Sequence, residues 1–162
     1  MLTPADDYPL HQTPEPFAFS GGDRNFYDRF FFNGYDEKSD IIFALALGVY
    51  PQLGIMDAAF VLCRAGKQYN IRASNEMAGD RLVLNVGGIN VVITKPLSET
   101  LIEVEDADVG LCARLVATAA HSAIEEPRFT RRHGTRLLDE MFATMAERSA
   151  YQALHLDSLS LI

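Results

Sequence analysis

The chain has no tryptophan and only two cysteines in 162 residues, so its ring content rests on 10 phenylalanines and 6 tyrosines. Cys63 and Cys112 stand in no metal-binding spacing, and no His-x-x-x-His pair accompanies them. That argues against zinc chemistry and leaves the two as expected buried free thiols. The histidines His11, His121, His133 and His155 show no ligand spacing either, so no metal site is expected. Positive charge is scarce. Lys and Arg number 14 against 22 Asp and Glu, a net charge of −8. Such a balance disfavours a nucleic-acid backbone or an anionic membrane surface as partner. Long apolar runs are missing as well. The stretch Ile41 to Tyr50 is far too short to span a bilayer. The start, Met1-Leu-Thr-Pro-Ala-Asp-Asp-Tyr-Pro9, lacks the basic end and apolar run of a secretory signal. A cytoplasmic protein with no membrane partner is expected.

Reaction motifs are thin. There is no Gly-x-Ser-x-Gly nucleophile turn. Val86-Gly-Gly-Ile-Asn90 lacks the Lys-Ser/Thr of a phosphate loop and leads into a strand, not a helix. Nucleotide hydrolysis is not expected. The basic run Arg128, Arg131, Arg132, His133 and Arg136 has the chemistry to hold a carboxylate or phosphate. It follows Glu125-Glu126 directly, which favours local pairing on a solvated hairpin.

What the chain does have is strand after strand. Residues 1–23, with Pro4, Pro9, Pro14, Pro16 and Gly21-Gly22, predict an extended arm without a regular element, anchored by Tyr8, Phe17 and Phe19. Residues 24–162 then predict one domain, the natural count for this length. Asn25–Gly34 is an aromatic strand, followed by the polar turn Asp36–Asp40. Ile41–Tyr50 is apolar on both faces, as a central strand is. Met56–Arg64 and Lys67–Ala73 flank a hairpin turn at Ala65-Gly66. Arg81–Val86, Ile89–Thr94, Leu101–Glu105 and Val109–Ala119 continue the pattern, with Gly87-Gly88 and Pro96 between. The tail supports two readings. Propensity favours a short C-terminal helix within Arg136–Leu156, whereas Tyr151–Leu161 alternates like a strand. Regular short strands predict an all-β fold, an antiparallel barrel or sandwich.

The strongest chemical signal is Asn25-Phe-Tyr-Asp-Arg-Phe-Phe-Phe-Asn-Gly-Tyr-Asp36. As a strand, it puts Phe26, Asp28, Phe30 and Phe32 on one face. Tyr27, Arg29, Phe31, Asn33 and Tyr35 take the other. Asp28 and Arg29 therefore point apart, and each needs another partner. A carboxylate among phenyl rings costs desolvation energy unless it is paired. Asp28 is either a satisfied structural group or a general acid in an apolar pocket.

The blocks Phe26–Asp36, Gly48-Val-Tyr-Pro-Gln52, Ala65-Gly-Lys-Gln-Tyr69, Lys95-Pro-Leu97, Glu125-Glu-Pro-Arg128 and Leu138-Asp139 together resemble the N-terminal half of the lipocalin-like carotenoid hydratase superfamily. That superfamily includes hydroxyneurosporene synthase-like proteins and fungal Diels–Alderases. The resemblance covers most of residues 11–158. It implies a lipocalin-like β domain and cofactor-free hydration or cyclisation of large apolar molecules at a site in and between two such domains. It aligns Asp28 with an acidic residue of the family's aromatic block. Here Tyr27 stands where the family has tryptophan, and Arg29 follows the acid. It also implies that Arg136–Leu161 is a pair of strands leading out of the domain.

The expectation is thus a β-barrel pocket for a small apolar molecule, of terpenoid, steroid or polyketide type. Asp28 is the catalytic candidate, and Phe26, Tyr27, Arg29, Phe30, Phe32 and Tyr50 are the ligand contacts. The enzyme version is a hydratase, isomerase or cyclase. The alternatives are a non-catalytic carrier, or a structural subunit whose barrel is completed by a second copy or a partner chain, since the resemblance places a second domain after this one.

Overall fold

Period-two alternation of inward and outward side chains builds strands through most of the molecule. A computed structural model describes residues 2–9, 24, 27–36, 38, 40–77, 80, 82–125, 129–133, 141–145, 148–149 and 152–161, those from 124 onward as backbone. The strands are β1 Asp28–Asp36, β2 Ile41–Tyr50, β3 Ile55–Arg64, β4 Lys67–Glu76, β5 Asn85–Val86, β6 Ile89–Lys95, β7 Glu99–Asp106 and β8 Leu111–Ala119. They are followed by β9 Ile124–Glu125, β10 Phe129–His133, β11 Met141–Met145, β12 Arg148–Ser149 and β13 Gln152–Leu161. One sheet runs β1-β2-β3-β4 and the other β13-β8-β7-β6-β5, with β10-β11 and β12-β9 as separate pairs. Every pairing among the described residues is antiparallel. The fold is all-β.

The chain meanders through the first sheet and crosses to the second at β4–β5, where the Asn75 side-chain amide donates to the Asn85 carbonyl at 3.2 Å. The inward rows of both sheets share one core. From the first sheet come Ile41, Phe43, Leu45, Leu47, Val49, Phe60 and Leu62; from the second come Val86, Ile89, Val91, Ile102, Val104, Leu111 and Leu115. A fully buried side chain of this kind contributes roughly 1.5–3 kcal/mol. β2, with its whole inward row buried, therefore holds the first sheet far more firmly than the edge strand β1, where Phe30 and Phe32 are only partly covered. Among the described residues no pairing joins β1 to β13, so the barrel is not closed.

Several local expectations are met in detail. β2 lies between β1 and β3. Ala65 and Gly66 take φ of 49° and 72° and join β3 to β4 in a two-residue turn, the left-handed pair that matches strand twist. Ile102 and Val104 are buried, while Glu103 and Glu105 face outward.

Others are corrected. Among the described residues of the stretch Arg81–Val86, only Asn85–Val86 is a strand. The Asp80 carboxylate accepts the Leu82 N–H at 2.9 Å and folds the preceding residues into a turn. The N-terminal arm contains one turn of 3-10 helix, Pro4–Asp7. Asp7 ties it to the β6–β7 connection by accepting the Leu97 N–H at 2.6 Å. Phe17 and Phe19 lie outside the described residues. Cys63 and Cys112 are unpaired but half-buried, since both stand on outward rows. The alternative of a C-terminal helix fails wherever the tail is described: 141–145, 148–149 and 152–161 are strands. β13 does not lead away from the domain. It pairs along β8 from Gln152–Ala119 to Leu161–Leu111, with a bulge between Leu156 and Ser158. That ladder outweighs helix propensity. Among the described residues no helix is long and apolar enough to cross a membrane.

Candidate functional site

β1 separates the residues that its sequence puts side by side. Asp28, Phe30 and Phe32 turn toward the core, and Tyr27, Arg29, Phe31, Asn33 and Tyr35 turn outward. Asp28 is fully buried, and its Oδ1 accepts the backbone N–H of Arg29 at 2.8 Å. The neighbouring residue thus serves Asp28 through its backbone, while its guanidinium points to the other face. Phe30 and Phe32 lie parallel with ring centroids 6.4 Å apart and pack on the core. Phe26 lies outside the described residues.

The outward candidates meet in a different place. Tyr27, Arg29 and Tyr50 line an open groove of about 680 Å3 across the outer face of the first sheet. Strand register explains how. Arg29 pairs with Gly48, Gly48 with Asp57, and Asp57 with Ser74. The next outward row is Phe31, Ala46, Ala59 and Arg72. Glycine and alanine therefore form the floor, and two arginines stand at opposite edges.

Gly48 is the clearing on which the polar end depends. A Cβ at this position would stand 2.7 Å from Asp57 Oδ1 and 3.0 Å from the Tyr50 hydroxyl. Only a residue without a side chain lets both groups lie over the strand. The Tyr50 hydroxyl donates to Asp57 Oδ2 at 3.4 Å, and its ring stacks on Tyr27 with centroids 5.8 Å apart. Burial raises the Tyr50 phenol above its ordinary 10.0. The Asp57 charge and hydrogen bond push the same way, as does Tyr27, and Arg29 pulls it back. Tyr50 is therefore a proton-bearing donor at neutral pH.

Asp57, Arg72 and the small-residue floor are absent from the sequence-derived set. Their signal was present in the alternation: Ala44, Ala46, Gly48 and Ala59 fall on outward positions that polar residues ordinarily take. Reading Ile41–Tyr50 as apolar on both faces registers that fact. It does not tell a covered second face from an open one.

The fold and the groove define an all-β protein with a solvent-open, polar-rimmed trough on one sheet. By sequence the chain belongs to a family of unknown function, DUF8625, whose model matches residues 2–147. No curated protein and no solved structure matches it.

Proposed function

We propose that this protein binds a small apolar molecule of terpenoid, steroid or polyketide type, and that the groove of the first sheet receives it. The observation that carries this reading is the clearing at Gly48. Small residues leave a trough of about 680 Å3, and Tyr50, Asp57 and Arg29 converge on one end of it. A mostly apolar concavity with a few converging polar groups is the usual build of a small-molecule site. The function is carriage or sequestration: the stacked rings of Tyr27 and Tyr50 form a wall for the ligand. Gly48→Val tests it. The substitution puts a branched side chain on the floor between Tyr50 and Asp57 and leaves the core face untouched. It should weaken binding of the neutral apolar dye Nile red by about tenfold or more, with an unchanged far-ultraviolet circular dichroism spectrum. Wild-type affinity in that variant would sink the proposal.

A second reading, a cofactor-free hydratase, isomerase or cyclase, rests on the fully buried carboxyl of Asp28 beside Phe30 and Phe32. Here Asp28 donates a proton to a substrate held from the core side. Native mass spectrometry of gently purified protein identifies the retained compound. Asp28→Asn should then abolish its turnover and keep its binding; full turnover in that variant removes the acid role. We place the protein in the cytoplasm. A second copy or a partner chain would complete the barrel along the unclosed edges of β1 and β13.

A further inference from the structure

The outer face of the first sheet continues beyond the groove. Along β1, β2 and β3 the outward rows run from Arg29, Gly48 and Asp57 through Phe31, Ala46 and Ala59, then Asn33, Ala44 and Val61, to Tyr35, Ile42 and Cys63. Same-face residues are spaced roughly 6.8 Å along a strand, so the three steps make a track of about 20 Å. Its large apolar side chains are open: Phe31 is 59% exposed, Tyr35 75% and Ile42 61%. A continuous apolar strip of this kind marks a surface that meets something.

Charge decides what meets it. Arg29 and Arg72 stand at the two edges of the polar end, and among the described residues neither has an ion-pair partner. On the outer face of the other sheet, by contrast, Arg114 is engaged with Glu103 at 3.7 Å. With Asp57 counted, the polar end of the groove carries a net charge of about +1 on a chain of net −8. A guanidinium that is not engaged by the protein is a matched receptor for a carboxylate.

We propose that the ligand is an anionic amphiphile: a carboxylic acid bearing an extended apolar chain. The acid head lies between Arg29 and Arg72, and the chain lies over the Ala46–Ala44–Ile42 track. Asp57, held by the Tyr50 hydroxyl, opposes the head's charge and limits its affinity. This inference rests on the groove being the ligand site.

The test uses the full chain with two fluorescent probes, cis-parinaric acid and its methyl ester, which share the chain and differ in the charge. The acid should bind wild type about tenfold or more tightly than the ester, as charge-assisted hydrogen bonds allow. The double variant Arg29→Gln/Arg72→Gln should erase that difference and leave the ester's affinity in place. Asp57→Asn should tighten the acid and not the ester. Equal binding of acid and ester to wild type, with both lost in Gly48→Val, would overturn the anionic head and keep the groove. Binding of neither probe would overturn both.

Discussion

At the residue scale, Tyr50 is the group whose behaviour the structure forecasts most directly. Its phenol is raised by burial and by the Asp57 carboxylate to which it donates. In the unfolded chain it ionises near 10. Below that pH both states hold the proton, and the shift has no effect on stability. Above it the unfolded chain releases the proton while the folded protein keeps it, so stability falls as pH rises toward the folded value. Urea midpoints taken at about pH 9 and about pH 11 should therefore drop further for wild type than for Tyr50→Phe. An equal drop would mean that the phenol titrates freely. Asp57→Asn removes two of the causes and leaves burial, so an ultraviolet titration should place Tyr50 lower than in wild type but still above an exposed tyrosine.

At the scale of elements, the turn between β3 and β4 carries a small, measurable strain. Ala65 sits at φ 49°, a left-handed conformation that alanine disfavours and asparagine tolerates. Ala65→Asn should stabilise the protein by about 1 kcal/mol, read from the urea midpoint, with no change in probe binding. Most elements were legible because their signals are local. Ala65-Gly66 announces its own hairpin, and Ile102 and Val104 alternate with glutamates along β7. Two regions were not legible for physical reasons. Arg81–Val86 alternates in sequence, but the Asp80 side chain competes for the Leu82 backbone amide and wins. The tail carries helix-forming residues, and only the β8 ladder, remote in sequence, makes 152–161 a strand. The site was half legible. Tyr27, Arg29 and Tyr50 belong to the groove, whereas Asp28, Phe30 and Phe32 lie on the opposite face, as their alternation requires. Asp57 and Arg72 come from strands whose register no local pattern reveals.

At the scale of the molecule, both sheets depend on one core. Phe60 is 2% exposed and stacks on Phe43 with centroids 6.3 Å apart. Phe60→Ala should cost about 3–5 kcal/mol. Because residues of the two sheets belong to the same cluster, the loss should appear as one cooperative transition. Tyrosine fluorescence and far-ultraviolet circular dichroism should give coincident curves. Two separated transitions would show that the sheets are held independently.

The glycine at position 48 also has a historical consequence. A Cβ at that point would crowd the Asp57 and Tyr50 side chains, so a single substitution suffices to disturb the polar end of the trough while the core face of β2 stays as it is. Change in the trough is then separable from change in the fold. A relative with a larger residue there is expected to keep the scaffold with a narrower trough, which a structure of that relative would show.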